Sequence, residues 1–283
     1  MTRHDLQSSP TIAQRFPRWR GLVVVAALLV TACGSTNASL PPEAVQDSAR
    51  RLYFQAMQEL EDGNFIAATT LFQEVASSPR YVRYAALARL RIGDAYFLQD
   101  RFPEAAEVYR GFISQYKSDP NLPYARFRVA QSYFERMPSD WFASPPAYEL
   151  DQSLTEQAEA ELTGFVTTFP TSRFAPEARK MLAETRKMLF DHELYAANFY
   201  ASEESWRAVA WRLDRAIETY PELGLEDDLV YRMADAYAKS GDEASAARGY
   251  GLYLKSFPEG KHHDDVKTRL EEIRKRVDEQ RRT

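Results

Sequence analysis

The sequence predicts an all-α fold: a solenoid of about five stacked helix pairs, closed by a C-terminal capping helix. Three observations predict it. From about residue 44 onward, apolar residues recur with helical spacing that is broken at short intervals. Tyrosines recur at a step of 37 residues, as Tyr96 and Tyr133 in the strings IGDAYF and VAQSYF, and again as Tyr200 and Tyr237. Glycine is scarce, with 11 in 283 residues, which argues against a sheet-rich fold full of tight turns.

The first element is a leader. Residues 1–32 carry four arginines against one aspartate, followed by the apolar run Gly21 to Val30. That run is too short to span a bilayer, which takes roughly 20 residues, and has the shape of a signal-peptide core. It ends in Val30-Thr31-Ala32-Cys33, and Cys33 is the only cysteine of the chain. The string resembles the lipobox of bacterial lipoproteins, which implies diacylglycerol and an N-acyl chain on Cys33. The other reading is a buried cysteine beside an ordinary signal peptide. One acyl chain holds a protein at a membrane only marginally, whereas two or three hold it stably. Gly34 in place of aspartate favours the outer membrane under the usual lipoprotein sorting rule, and residues 33–47 read as a polar, proline-containing tether.

The repeat units follow. Each second helix carries a small or branched residue, then a large one four positions on, then another three further. The sets are Ala68, Phe72, Val75; Ala105, Tyr109, Phe112; Ala158, Leu162, Phe165; Val209, Leu213, Ala216; and Ala246, Tyr250, Tyr253. Spacing i, i+4, i+7 places each trio on one helix face, where the small residue lets two backbones approach. Units close on Phe169-Pro170, Tyr220-Pro221 and Phe257-Pro258, since proline cannot continue the helix. Gly63 and Gly241 sit between the helices of a pair, where a left-handed turn suits glycine. The pattern resembles the tetratricopeptide repeat, a helix-turn-helix unit of about 34 residues. Five units fit, at roughly 48–80, 85–118, 122–170, 174–222 and 227–259. A lone pair cannot bury its apolar stripe; stacking does so.

The third unit is interrupted by residues 137–152, MPSDWFASPPAYELDQ. Its aromatics Trp141, Phe142 and Tyr148 are either a contact site or fold back on the array. Ser153 and Glu156 have the spacing of a capping box opening the next helix. From His262 a charged helix follows, with Val266, Leu270, Ile273 and Val277 as its stripe, suited to cover the last unit. Its basic end, Arg274, Lys275, Arg276, Arg281 and Arg282, reads as a solvated terminus, with anionic lipid as a lesser option.

Catalytic and metal sites are not expected. No G-x-S-x-G, phosphate-binding glycine loop or nicotinamide fingerprint occurs. The four histidines are 4, 192, 262 and 263, and neighbouring residues on a helix point about 100° apart, so 262–265 should not converge on an ion. A net charge of −5 gives no support to a nucleic-acid-binding face. No cofactor is expected beyond the lipid on Cys33.

A lipobox, a tether, five such units, an insertion in the third and a capping helix together resemble the BamD (YfiO, ComL) family of outer-membrane assembly lipoproteins. The likeness is strongest over residues 169–221, where Phe169-Pro170 with Ser172, then Tyr195 and Tyr200, then Trp206, Val209, Tyr220 and Pro221 follow the family's pattern. It implies a role in inserting β-barrel proteins into the outer membrane from the periplasmic side. Partners so implied are unfolded outer-membrane proteins, a BamA-like barrel subunit with POTRA domains, and other lipoproteins of that complex.

The same resemblance divides the chain. Units one to three, residues 48–170, would receive the C-terminal signal of a barrel protein. Units four and five, residues 171–261, would dock on POTRA domains, with 262–283 as the cap. On the repeat motif, first helices line the receiving face. The side chains expected there are Tyr53, Met57 and Leu60; Leu90, Asp94, Phe97 and Leu98; and Tyr124, Phe127, Gln131 and Phe134. They make an aromatic and aliphatic groove, flanked by Arg89, Arg91, Arg126 and Arg128 for a terminal carboxylate. The docking helix is Trp206, Val209 and Arg212, whose arginine meets either a partner carboxylate or one of its own chain. Competing readings are a repeat lipoprotein piloting a secretin or pilus component, a cell-wall glycan enzyme, and a cell-wall tether. The enzyme would need a catalytic domain beyond the array.

Overall fold

The computed structural model describes residues 42–78, 82–140 and 142–282, and among these it contains twelve α-helices and no strand. Five pairs form the array: α1 (Pro42–Glu61) with α2 (Phe65–Ser77), α3 (Val82–Phe97) with α4 (Phe102–Gln115), and α5 (Leu122–Phe134) with α6 (Ser153–Thr168). Then come α7 (Ala175–Ser202) with α8 (Trp206–Thr219), the short α9 (Pro221–Gly224), and α10 (Asp227–Lys239) with α11 (Glu243–Ser256). The helix α12 (His263–Arg282) closes the chain. The leader, Cys33 and Trp141 lie outside the described residues, as does the side chain of Val277.

The fifteen positions of the repeated trio are all buried, from Ala68 to Tyr253. Each second helix presents them to the first helices of its own and the following unit, so the core runs along the array. Val266, Leu270 and Ile273 of α12 join the last stretch of that core. Arg269 holds α12 in place through Asp235 of α10 at 2.8 Å.

The turns inside the pairs follow one rule. Gly63 and Gly241 have φ of 79° and 81°. Asp100 and Glu204 stand in the same place in units two and four, at φ 59° and 55°, and so adopt a left-handed conformation without being glycine. Unit three has its insertion there instead.

Two expectations change. Helix α1 starts at Pro42, inside the segment read as a tether, because proline is well tolerated in a first helical turn. Pro221 follows the end of α8 as expected, and opens the one-turn α9. Ser153 and Glu156 form no capping box. Ser153 is the first residue of α6, and its hydroxyl donates to Asp151 at 2.7 Å.

Candidate functional site

The first helices of units two and three are organised around one buried carboxylate. Asp94 on α3 accepts the hydroxyls of Tyr109 on α4 at 2.5 Å and Tyr124 on α5 at 2.6 Å. It also accepts Nη1 of Arg91 at 2.7 Å, and Nε of Arg128 lies 3.8 Å from it. The Arg128 guanidinium lies over the Phe97 ring at 3.7 Å and donates to Gln131 at 2.7 Å. Burial alone would raise the Asp94 pKa; Arg91, Arg128 and the two tyrosines outweigh it and hold it below the usual carboxylate range. Burial pushes both tyrosines up, beyond normal titration. Nη2 of Arg128 makes no hydrogen bond among the described residues. Gly93 makes room for this: a Cβ there would lie 2.6 Å from the Tyr109 ring.

This arrangement corrects the expected apolar groove. Tyr53, Leu60, Leu90, Asp94 and Phe127 are buried within the array and present no open surface. Met57, Phe97, Tyr124, Gln131 and Phe134 are partly exposed, and Leu98 is exposed. Amphipathic reading put all eleven on one face but could not see that packing against the second helices buries part of it. Arg91 and Arg128, expected to flank the groove, are drawn inward by Asp94, while Arg126 stays exposed.

At the other end, Val209 is core and Trp206 is half-buried under the Lys239 ammonium, 4.2 Å from the ring centre. Val209 has no open surface, and Trp206 keeps part of its own. Arg212 donates to the buried Glu193 of α7 at 3.0 Å, and Arg215 shares the same carboxylate at 3.2 Å. These groups line a cleft of about 220 Å³ with Asp151, Ser153, Glu156, His192 and Tyr220. Burial pushes the Tyr220 hydroxyl up to about 12.

The insertion partly folds back. Asp140 accepts the Ala147 amide at 2.8 Å, Gln152 donates to the Ala147 carbonyl at 2.8 Å, and Ala147 is buried. His192 Nδ1 donates to the Tyr148 carbonyl at 2.7 Å, and the Tyr148 ring meets Tyr195 at 6.0 Å. Phe142, by contrast, is 92% exposed.

One polar cluster escaped the sequence reading. Asp227, Asp228 and His262 place ligating atoms within 4.8 Å of one another. Their groups are already engaged: Asp227 accepts Tyr253 and the Lys261 amide, and Asp228 accepts His262 and the Lys261 ammonium. His262 stacks on Tyr231 at 3.9 Å. The cluster joins α10 to the turn before α12. Helix periodicity could not reveal it, because its members lie 34 residues apart.

Comparison with known proteins bears on all five pairs at once. The family model described as outer membrane lipoprotein, YfiO, matches residues 45–252. An outer membrane protein assembly factor BamD of Caulobacter vibrioides is 26% identical over 251 residues, covering 87% of this chain and 80% of that protein. The BamD of Neisseria meningitidis serogroup A is 27% identical over 248 residues, covering 84% and 90%. Among solved structures, the TPR2AB-domain complex of yeast Sti1 covers 82% of this chain and 85% of its own, at 11% identity and a TM-score of 0.40, too loose a superposition to argue from. With 208 residues matched, from within α1 to within α11, the chain belongs to the YfiO (BamD) family of outer-membrane lipoproteins.

Proposed function

We propose that this chain is the lipoprotein subunit of the machinery that assembles β-barrel proteins in the outer membrane, held to the periplasmic face by acyl chains on Cys33. The observation that carries the reading is the family match across all five helix pairs, together with relatives whose names describe outer-membrane protein assembly. Among the described residues no helix is long and apolar enough to cross a membrane.

In this reading units one to three bind the C-terminal signal of an unfolded barrel protein. The first contacts are the side chains that keep open surface: Met57, Phe97, Leu98, Tyr124, Gln131 and Phe134. Tyr53, Leu60, Leu90 and Phe127 support them from below. Arg126, exposed on the same helix as Tyr124, favours a terminal carboxylate over an internal segment. Units four and five dock on the POTRA domains of a BamA-like subunit, with Arg212 at the rim of the cleft. A carboxylate from the partner would have to draw Arg212 away from Glu193, which retains Arg215. The reading gives the protein no catalytic step: it positions a substrate chain beside a partner.

The test is a titration of the mature protein with a peptide ending in alternating apolar residues and a terminal aromatic. The free-acid peptide should bind more tightly than its C-terminal amide. Equal binding of a scrambled peptide contradicts the signal-recognition half of the reading.

A further inference from the structure

Helix α7 has 28 residues, twice the 14 of its partner α8. Ala178 and Met181 in its first half join the core of unit three, while Leu189, Phe190 and Ala197 join that of units four and five. Along its side towards unit three, three contacts follow one another. Phe174, the N-cap of α7, meets Tyr124 at 5.6 Å. Thr185 donates to Sδ of Met137 at 3.5 Å. Tyr195 meets Tyr148 at 6.0 Å. Each step is about three helical turns, so the contacts share one side of α7. Tyr124, Met137 and Tyr148 are half-buried, and the row ends on two exposed aromatics, Tyr195 and, one turn later, Phe199, 54% exposed. Charges beside the row pair off, Lys180 with Glu184 and Lys187 with Asp191, so its open ends are apolar.

The row starts at Tyr124 on the receiving face and finishes in unit four. At 1.5 Å per residue, Tyr195 lies about 32 Å from Phe174 along the helix, and Phe199 about 38 Å. An extended chain covers that distance in about 9–11 residues, which is the length of one strand of a membrane β-barrel. We infer that Tyr195 and Phe199 form a second apolar subsite for the unfolded barrel chain, taking an aromatic side chain about one strand length upstream of its carboxyl end. The inference rests on the signal-recognition reading above and deepens it: α7 gauges the segment. A full strand engages both ends of the row, and a shorter one engages only unit three. Every second side chain of an extended peptide points the same way, so an alternating sequence can present aromatics to both ends. The second contact is intramolecular once the first has formed, so it adds affinity without a new encounter.

The experiment titrates the mature full-length protein with free-acid peptides of alternating apolar residues and a terminal aromatic, about 6 or about 11 residues long. The longer peptide carries tyrosine or alanine at its amino end. Wild type should bind the long tyrosine peptide at least about fivefold more tightly than the short one, and the alanine version should lose most of that gain. Phe199→Ala should bind the short peptide as wild type does and lose the gain, with melting temperature as the folding control. A photoreactive group at the amino end of the long peptide should label wild type near residue 199, which tests the site without a substitution. Equal affinity of wild type for both lengths, a gain retained by Phe199→Ala, or labelling confined to units one to three overturns the inference and leaves signal recognition standing. Loss of short-peptide affinity in Phe199→Ala also overturns it, because the two subsites would not be separate. Failure of every peptide to bind wild type removes the signal-recognition reading itself, and the inference with it.

Discussion

Tyr124 on α5 donates its hydroxyl to Asp94 on α3 at 2.6 Å, across the boundary between the second and third units. The bond converts what looked like two rungs of an apolar groove into a polar keystone. Tyr109 and Arg91 complete it from α4 and α3. A buried carboxylate satisfied from three helices fixes how adjacent units stack, since removing one partner strands the others.

Replacing Asp94 by Ala leaves Arg91, Arg128 and two tyrosine hydroxyls without their acceptor. The loss should be about 3–5 kcal/mol in chemical denaturation, the range for breaking a buried ion pair. Tyr124→Phe removes one bond and should cost about 1–2 kcal/mol.

Acid should expose the same residue. The folded pKa of Asp94 is depressed relative to the unfolded value of about 3.9. Its contribution is therefore complete above that value and is lost as pH falls below it, through the folded pKa. Thermal melts of wild type should lose stability over that acid range. Asp94→Asn, already destabilised at neutral pH, should show a shallower acid dependence; an identical slope would contradict this account.

The left-handed turns give a prediction of opposite sign. Asp100→Gly and Glu204→Gly should each raise stability by about 0.5–1 kcal/mol, because glycine adopts positive φ without a Cβ penalty. Gly63→Ala should lower it by a similar amount, and paired melts of the three variants read the difference.

Signal binding tests the receiving face at an exposed side chain outside the core clusters. Leu98→Ala should weaken peptide affinity several-fold while leaving the melting temperature within a few degrees. Unchanged affinity in calorimetric titration would remove this face from the account.

How much the sequence revealed depends on how local each feature is. The trio Val209, Leu213 and Ala216 is set by spacing on one helix, and all its counterparts are buried as read. Gly63 and Gly241 were legible because their residue type matches their φ, whereas Asp100 and Glu204 hold the same turn through position in the repeat alone. Asp94 was visible as a polar residue on the receiving face, but its partners come from two other helices and no periodicity announces them. Trp206 drew attention as a motif residue, yet Lys239, 33 positions away, covers part of it. Burial set by a neighbouring unit is what one-helix reasoning misses.

The most direct test of the central claim is the identity of what co-purifies with the acylated protein from gently solubilised outer membranes. The account predicts a barrel protein bearing POTRA domains, retained by wild type and depleted when Arg212 is replaced by Glu. Recovery of a secretin in its place, with no POTRA-bearing barrel, would contradict it.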